Sequence, residues 1–266
     1  ARVGQLFGNL CSSETSEAMQ EAERTMAQRL ASHWSVMYLN GALFARVDAL
    51  HAQRDTLGVA PEAQRLLERT HLDFVLAGAR LGPDARQRFS AIVEKLAQLQ
   101  TAFALNVLHD EANWTLWLDG ERDLAGLPPF LRASAREAAQ QRGRPDGHAI
   151  TLSRSLVAPF LTYADRRDLR EQAFRAWTSR GEHEGAHDNR PIARAILALR
   201  HEQATLMGYR SYADYALVDR MAGTPAAVAR LLEQVWTPAK KRAAEERDAL
   251  AALAASRGEP TVIEPW

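Results

Sequence analysis

His183-Glu184-Gly185-Ala186-His187 is the stretch of this chain whose residue types and spacing match a catalytic motif. It satisfies H-E-x-x-H, in which two imidazoles bind zinc and the glutamate activates a metal-bound water. That chemistry needs a helix, because only there do positions i and i+4 stack on one face so that both rings reach one ion. The local residues favour a loop instead. Gly181 and Gly185 lie close together, Asp188-Asn189 follows, and Pro191 closes the run, which is turn and cap chemistry. The expected helix begins after the motif, with Asn189 or Arg190 as N-cap, Pro191 in the first turn, and Ile192, Ile196, Leu199 and Leu206 at helical spacing up to Gly208. The motif is therefore read as a solvated loop, and no catalytic, cofactor or metal residue is assigned. The alternative is a minimal zinc hydrolase using His183, Glu184 and His187, for which Glu182, Asp188 and Glu202 are the available third ligands. His201-Glu202 lies on the following helix, but Thr205 stands where a second histidine is needed.

The elements that must position these residues are mostly helical. Met19, Ala22, Met26, Leu30, Trp34 and Met37 keep a 3.6 period and predict a helix from Ser16 to Tyr38, ended by Asn40-Gly41. Leu43, Val47 and Leu50 carry a second helix towards Gly58, and Pro61 opens a third through Leu66, Leu67, Phe74 and Leu81. After the break at Gly82-Pro83, Phe89, Ile92, Val93, Leu96, Leu99, Phe103 and Val107 predict one long helix from Asp84 to about His109. The strand candidates are Trp114 to Leu118 and Ala149 to Leu152, rich in aromatic and branched residues, and they are expected to pair as a ribbon. Trp114 and Trp117 could stack on a ligand, but aromatics on a short strand are more often core, and they are not assigned as a site.

Between the two strand candidates a short helix is expected up to Arg142, ended by Gly143. Asp165 is the expected N-cap of a helix carrying Leu169, Ala173, Phe174 and Trp177. Ser211 with Asp214 forms a capping-box-like start, and Thr224-Pro225 opens the last helical region, which Pro238 is expected to kink or divide. The fold class is thus all-α, or mainly α, with antiparallel helices and one small two-stranded β-ribbon. Residues 1–266 read as a single helical region with a possible sub-boundary near 110–155.

Composition excludes several functions. Lys plus Arg balance Asp plus Glu at 33 each, so no net field favours nucleic acid or an anionic membrane. No apolar run approaches the ~20 residues of a membrane span, and the single Cys11 fits a reducing, cytoplasmic setting. The N-terminus Ala-Arg-Val-Gly has neither an initiator Met nor a signal-peptide pattern, and the chain reads as a piece cut from a longer one.

Arg180, Gly181, Asp188, Asn189, Pro191, Ile192, Leu199, Arg200, Glu202, Ala204, Leu206, Gly208, Tyr209, Tyr212, Ala213, Asp214, Tyr215, Leu217, Met221, Ala222, Thr224 and Pro225 form a long ordered pattern. It resembles a segment of the thimet oligopeptidase and peptidyl-dipeptidase family of zinc metallopeptidases, which includes oligopeptidase A. DLAGLPPFLRASA and TLSRSLVAPFLTYADRRDLREQAFRAW resemble the same family, and the likeness runs from Leu6-Phe7 to Trp266. It implies the N-terminal, non-catalytic helical part of an oligopeptidase or dipeptidyl carboxypeptidase, forming one wall of a channel that admits short peptides. HEGAH falls in the family's variable loop. The resemblance further implies that the zinc, its ligands and the catalytic glutamate belong to a catalytic domain beyond Trp266, which would be this chain's partner together with oligopeptide substrates. A standalone helical interaction module is the other reading of the same sequence.

Overall fold

The computed structural model of the protein describes residues 2–13, Ala22, Thr25, Met26, Arg29, His33, 36–38 and 40–266. Its helices are α1 (Arg2–Ser13), α2 (Gly41–Ala52), α3 (Pro61–Leu76), α4 (Pro83–Asn113), α5 (Pro129–Gln141), α6 (Arg154–Tyr163), α7 (Arg167–Thr178), α8 (Asn189–Leu206), α9 (Tyr212–Leu217) and α10 (Pro225–Ser256). The strands are β1 (Leu116–Leu118) and β2 (His148–Ile150). They pair antiparallel, with Leu116 opposite Ile150, Trp117 opposite Ala149 and Leu118 opposite His148. Among the described residues the protein is therefore mainly α with one two-stranded sheet. The helix expected from Ser16 to Tyr38 lies largely outside those residues, although every described position within it is helical.

The chain divides into two compact units, one built from Ala1–Ser90 and Leu206–Tyr209, the other from Ala91–Thr205 and Arg210–Trp266. In the first, α2 packs on α3 around Phe74, which is 2% exposed and meets Phe44 and Tyr38 with ring centroids 5.9 and 5.0 Å away. Asn40, expected to end the preceding helix, caps α2: its Oδ1 accepts the Leu43 N–H at 3.0 Å. An asparagine carbonyl serves a helix start at least as well as a helix end, because it satisfies one of the four orphan N–H groups there.

The second unit holds the larger core. β1, β2, α5, α6 and α7 bury Leu118, Leu131, Ile150, Val157 and Phe160 together, with Trp114 and Trp117 packed against them. Both tryptophans are thus part of the wall of this core, and Arg144 lies over the Trp117 ring at 4.5 Å. The final residues fold back on α7, where Arg170 Nε donates to the Trp266 carbonyl at 2.6 Å and Arg175 lies over the Trp266 ring at 4.9 Å.

The start of α7 differs from the sequence reading, and α10 is not divided. α7 begins at Arg167 with Arg166 at the cap position, and Asp165 makes no side-chain cap; its N–H donates to the Ala125 carbonyl instead. The first turn is anchored by charge, since Arg166 grips Asp168 through Nε and Nη2 at 2.8 and 2.6 Å and also pairs with Asp123. α10 runs unbroken through Pro238. Proline there removes the hydrogen bond to the Gln234 carbonyl and crowds that carbonyl, but this part of α10 is exposed, so the carbonyl can tilt outwards and bond water.

Candidate functional site

HEGAH lies in the second unit, on a loop of turns and bends from Gly181 to Asp188, ahead of α8. Its shape is set by polar contacts to α4 and to Asn189. Gly181 donates its N–H to Asp110 Oδ2 at 2.7 Å, Arg180 pairs with Glu111, and the Asn189 N–H donates to the Gly181 carbonyl at 2.8 Å. Beneath them a chain of side-chain donors runs inwards. His187 Nδ1 donates to Asn106 Oδ1 at 3.2 Å, Asn106 Nδ2 to Asn189 Oδ1 at 2.9 Å, and Asn189 Nδ2 to the Phe103 carbonyl at 3.0 Å. Asn106 and Asn189 are 9% and 4% exposed, and each amide finds both a donor and an acceptor, as burial requires. Gly181 has φ +75, a left-handed conformation that L side chains rarely adopt, and a Cβ there would lie 2.6 Å from Asn189 Nδ2.

The two histidines take different partners. The His187 ring stacks on His109 with centroids 3.6 Å apart and 16° between planes, and its Nδ1 is committed to Asn106. His183 is 59% exposed at the side chain and lies 3.8 Å from Asp110 through Nε2. The third-ligand candidates are engaged or distant: Asp188 accepts the Arg190 backbone N–H and two Arg190 side-chain nitrogens at 2.9 Å, Glu182 is exposed, and Glu202 lies near the far end of α8. Arg190 holds the Asp188 carboxyl below the usual carboxylate range, first by the side-chain hydrogen bond and then by the backbone one. Asp188, not Asn189 or Arg190, is therefore the residue that caps α8, since its carboxylate takes an N–H of the first turn. HEGAH is thus not on the helix by which an H-E-x-x-H zinc site brings both rings to one ion. Among the described residues no group of three or more His, Cys, Asp or Glu side chains gathers to hold a metal.

A cleft of about 310 Å³ adjoins the loop, lined by Asp110, Asn113, Trp114, Leu152, Ala176 and His183. It offers one carboxylate and one imidazole, enough to bind a polar group but without a nucleophile–base–orienter chain. The first unit holds a second polar cluster that sequence reasoning missed. His71, 6% exposed, donates through Nε2 to Asp48 Oδ1 at 2.8 Å, Arg80 Nη2 donates to the same oxygen at 3.1 Å, and His51 stacks on His71 at 3.8 Å. The His71 and Arg80 hydrogen bonds hold the Asp48 carboxyl below its ordinary range, while burial and then the charge of His71 push His51 down. Its members come from α2, α3 and the turn after α3, at spacings that match no motif; the signal in sequence was only a histidine amid the apolar residues of α3.

Comparison with known proteins settles the lineage. The sequence profile of Peptidase family M3 matches residues 160–266. Dipeptidyl carboxypeptidase of Salmonella typhimurium is 34% identical over 93% of this chain and 36% of its own length. Dipeptidyl carboxypeptidase of Escherichia coli is 31% identical over 100% of this chain and 39% of its own. Oligopeptidase A of Haemophilus influenzae is 28% identical, with the same coverage of 100% and 39%. The chain belongs to peptidase family M3. It spans a little over one third of the length of these relatives. Within this family M3 chain, the 160–266 match holds α7, the HEGAH loop, α8, α9 and α10, the segment whose residues carried the resemblance. No helix is long and apolar enough to cross a membrane, among the described residues.

Proposed function

We propose that this chain is the helical, non-catalytic part of a family M3 peptidase acting on short peptides. In this reading it forms a wall of the channel that substrates enter, in the cytoplasm, with its own catalytic domain as partner and with neither nucleic acid nor membrane bound. Zinc chemistry belongs to that catalytic domain and not to HEGAH. The observation that carries the reading is the combination of similarity along 93–100% of this chain to peptidases of which it covers 36–39% with a loop whose His187 Nδ1 is already committed to Asn106. The equal count of acidic and basic residues and the single cysteine agree with it.

The test uses the purified chain after dialysis. Elemental analysis is expected to find no stoichiometric zinc, and a quenched fluorescent oligopeptide is expected to stay intact with both the wild type and Glu184→Gln. One tightly held zinc per chain, with turnover abolished by Glu184→Gln, would overturn the loop reading in favour of the minimal hydrolase.

A further inference from the structure

Between α4 and α8 of the second unit lies a groove of about 400 Å³. Its walls are apolar: Phe103 and Leu197 line it while 37% and 65% exposed, beside Ala193 and the buried Ile196. Gln100 and Arg200 supply its polar atoms. Arg200 is the unusual member. Its Nε is buried and has no hydrogen-bond partner, and no hydrogen bond or ion pair to its guanidinium is found among the described residues. Arg86 also has an unpartnered Nε, but its Nη2 donates to the Ala79 and Leu81 carbonyls. Arg200 instead lies over the Tyr212 ring, with the guanidinium carbon 4.9 Å from the centroid. A planar cation pinned on an aromatic face beside an apolar wall, with a buried donor left open, is organised for a planar anion attached to an apolar group.

We propose that this groove binds the C-terminal residue of a short peptide, its carboxylate on Arg200 and a large apolar side chain against Phe103 and Leu197. The inference rests on the reading that short peptides are ligands of this chain; it requires no hydrolysis. The volume is near the lower end of ligand sites, about 300–1,000 Å³, and suits one or two residues. The carboxylate supplies what the site lacks: an acceptor with two oxygens, matched to the fork of guanidinium donors. Gln100 offers an amide to the last peptide unit. A C-terminal amide offers one uncharged acceptor in place of two charged oxygens, so the groove discriminates for the acid.

Isothermal titration calorimetry with acetyl-Ala-Phe and with its C-terminal amide tests the assignment. The acid is expected to bind the wild type roughly tenfold or more tightly than the amide, the factor that follows from one charge-assisted hydrogen bond. Arg200→Gln is expected to abolish that preference while leaving the amide's weak binding in place. Leu197→Ser, at an exposed position, is expected to weaken both ligands alike. Thermal melts of both variants check that the fold persists. Equal binding of acid and amide, or a preference that survives Arg200→Gln, overturns the groove assignment and leaves the peptidase reading standing. If a folded wild type binds neither ligand, the groove assignment falls, and the peptidase reading is then judged by its own zinc and turnover test.

Discussion

Gly181 concentrates the constraints of the HEGAH loop in one residue: a left-handed backbone, an N–H on Asp110 and a carbonyl on Asn189. Gly181→Ala adds a Cβ that must displace the Asn189 amide and break its bond to the Phe103 carbonyl. The expected cost is about 1–3 kcal/mol, from backbone strain together with an unpaired buried amide. Urea denaturation reads it, and an unchanged midpoint would mean that the loop can relax without its α4 anchors. Asp168 gives a second prediction at this scale. Its hydrogen bonds with Arg166 lower its pKa from 3.8 to about 2. A depressed carboxyl pKa contributes stability that is fully present above the unfolded value and is lost as pH falls through the folded one. The unfolding free energy is therefore expected to decline between about pH 4 and pH 2, and Asp168→Asn is expected to flatten that part of the profile. A slope unaltered in the variant would assign acid unfolding to other carboxylates.

Single elements obey local rules where the rule is carried by neighbouring residues, and this is where the sequence was most legible. Thr224 accepts the Ala227 N–H at 3.2 Å and starts α10 with Pro225 at its first position, as the residues imply. Ser211 likewise caps α9 by taking the Asp214 N–H at 3.1 Å. Thr224→Ala is expected to destabilise the protein by about 1 kcal/mol through loss of the cap. Thr224→Ser should restore most of it, and a midpoint that ignores both changes would remove the assignment. Asp165 and Asp188 show where the local rules run out. Both precede a helix and are good caps by type, yet Asp165 turns its N–H to Ala125 while Asp188 takes both the cap and Arg190. The choice depends on residues some forty positions away, such as Ala125 and Asp123, which periodicity does not reach. The same limit hid the Asp48–His71–Arg80 cluster, whose members lie 23 and 9 positions apart.

At the scale of the molecule, the family was legible because an ordered pattern of residues survives in the 160–266 segment, whereas the conformation of HEGAH was legible only as backbone preference. Gly185 and Pro191 argued for a loop, and the loop is there; the ties of Asn106 to His187 and to Asn189 span more than 80 positions and could not be read. The surface of α10 carries the last prediction. Leu231, Leu232, Val235 and Trp236 are 59–61% exposed, and Leu250 and Leu253 are 53% and 47% exposed. Leu231 with Val235 and Leu232 with Trp236 are i,i+4 pairs, so the four side chains form one continuous apolar stripe along the helix. Contiguous apolar surface of this kind marks an interface more often than a solvated face. In the proposed peptidase a catalytic domain would cover it, and in the isolated chain a second copy is the available substitute, since one helix face can pair with itself about a two-fold axis. Size-exclusion chromatography with light scattering is expected to show a mass that rises with concentration above that of one chain. Leu232→Lys is expected to return it to the monomer without lowering the melting temperature, because the side chain it replaces is 61% exposed. A wild type that stays monomeric at high concentration would mean that the stripe is tolerated in water and that α10 needs no partner to be stable.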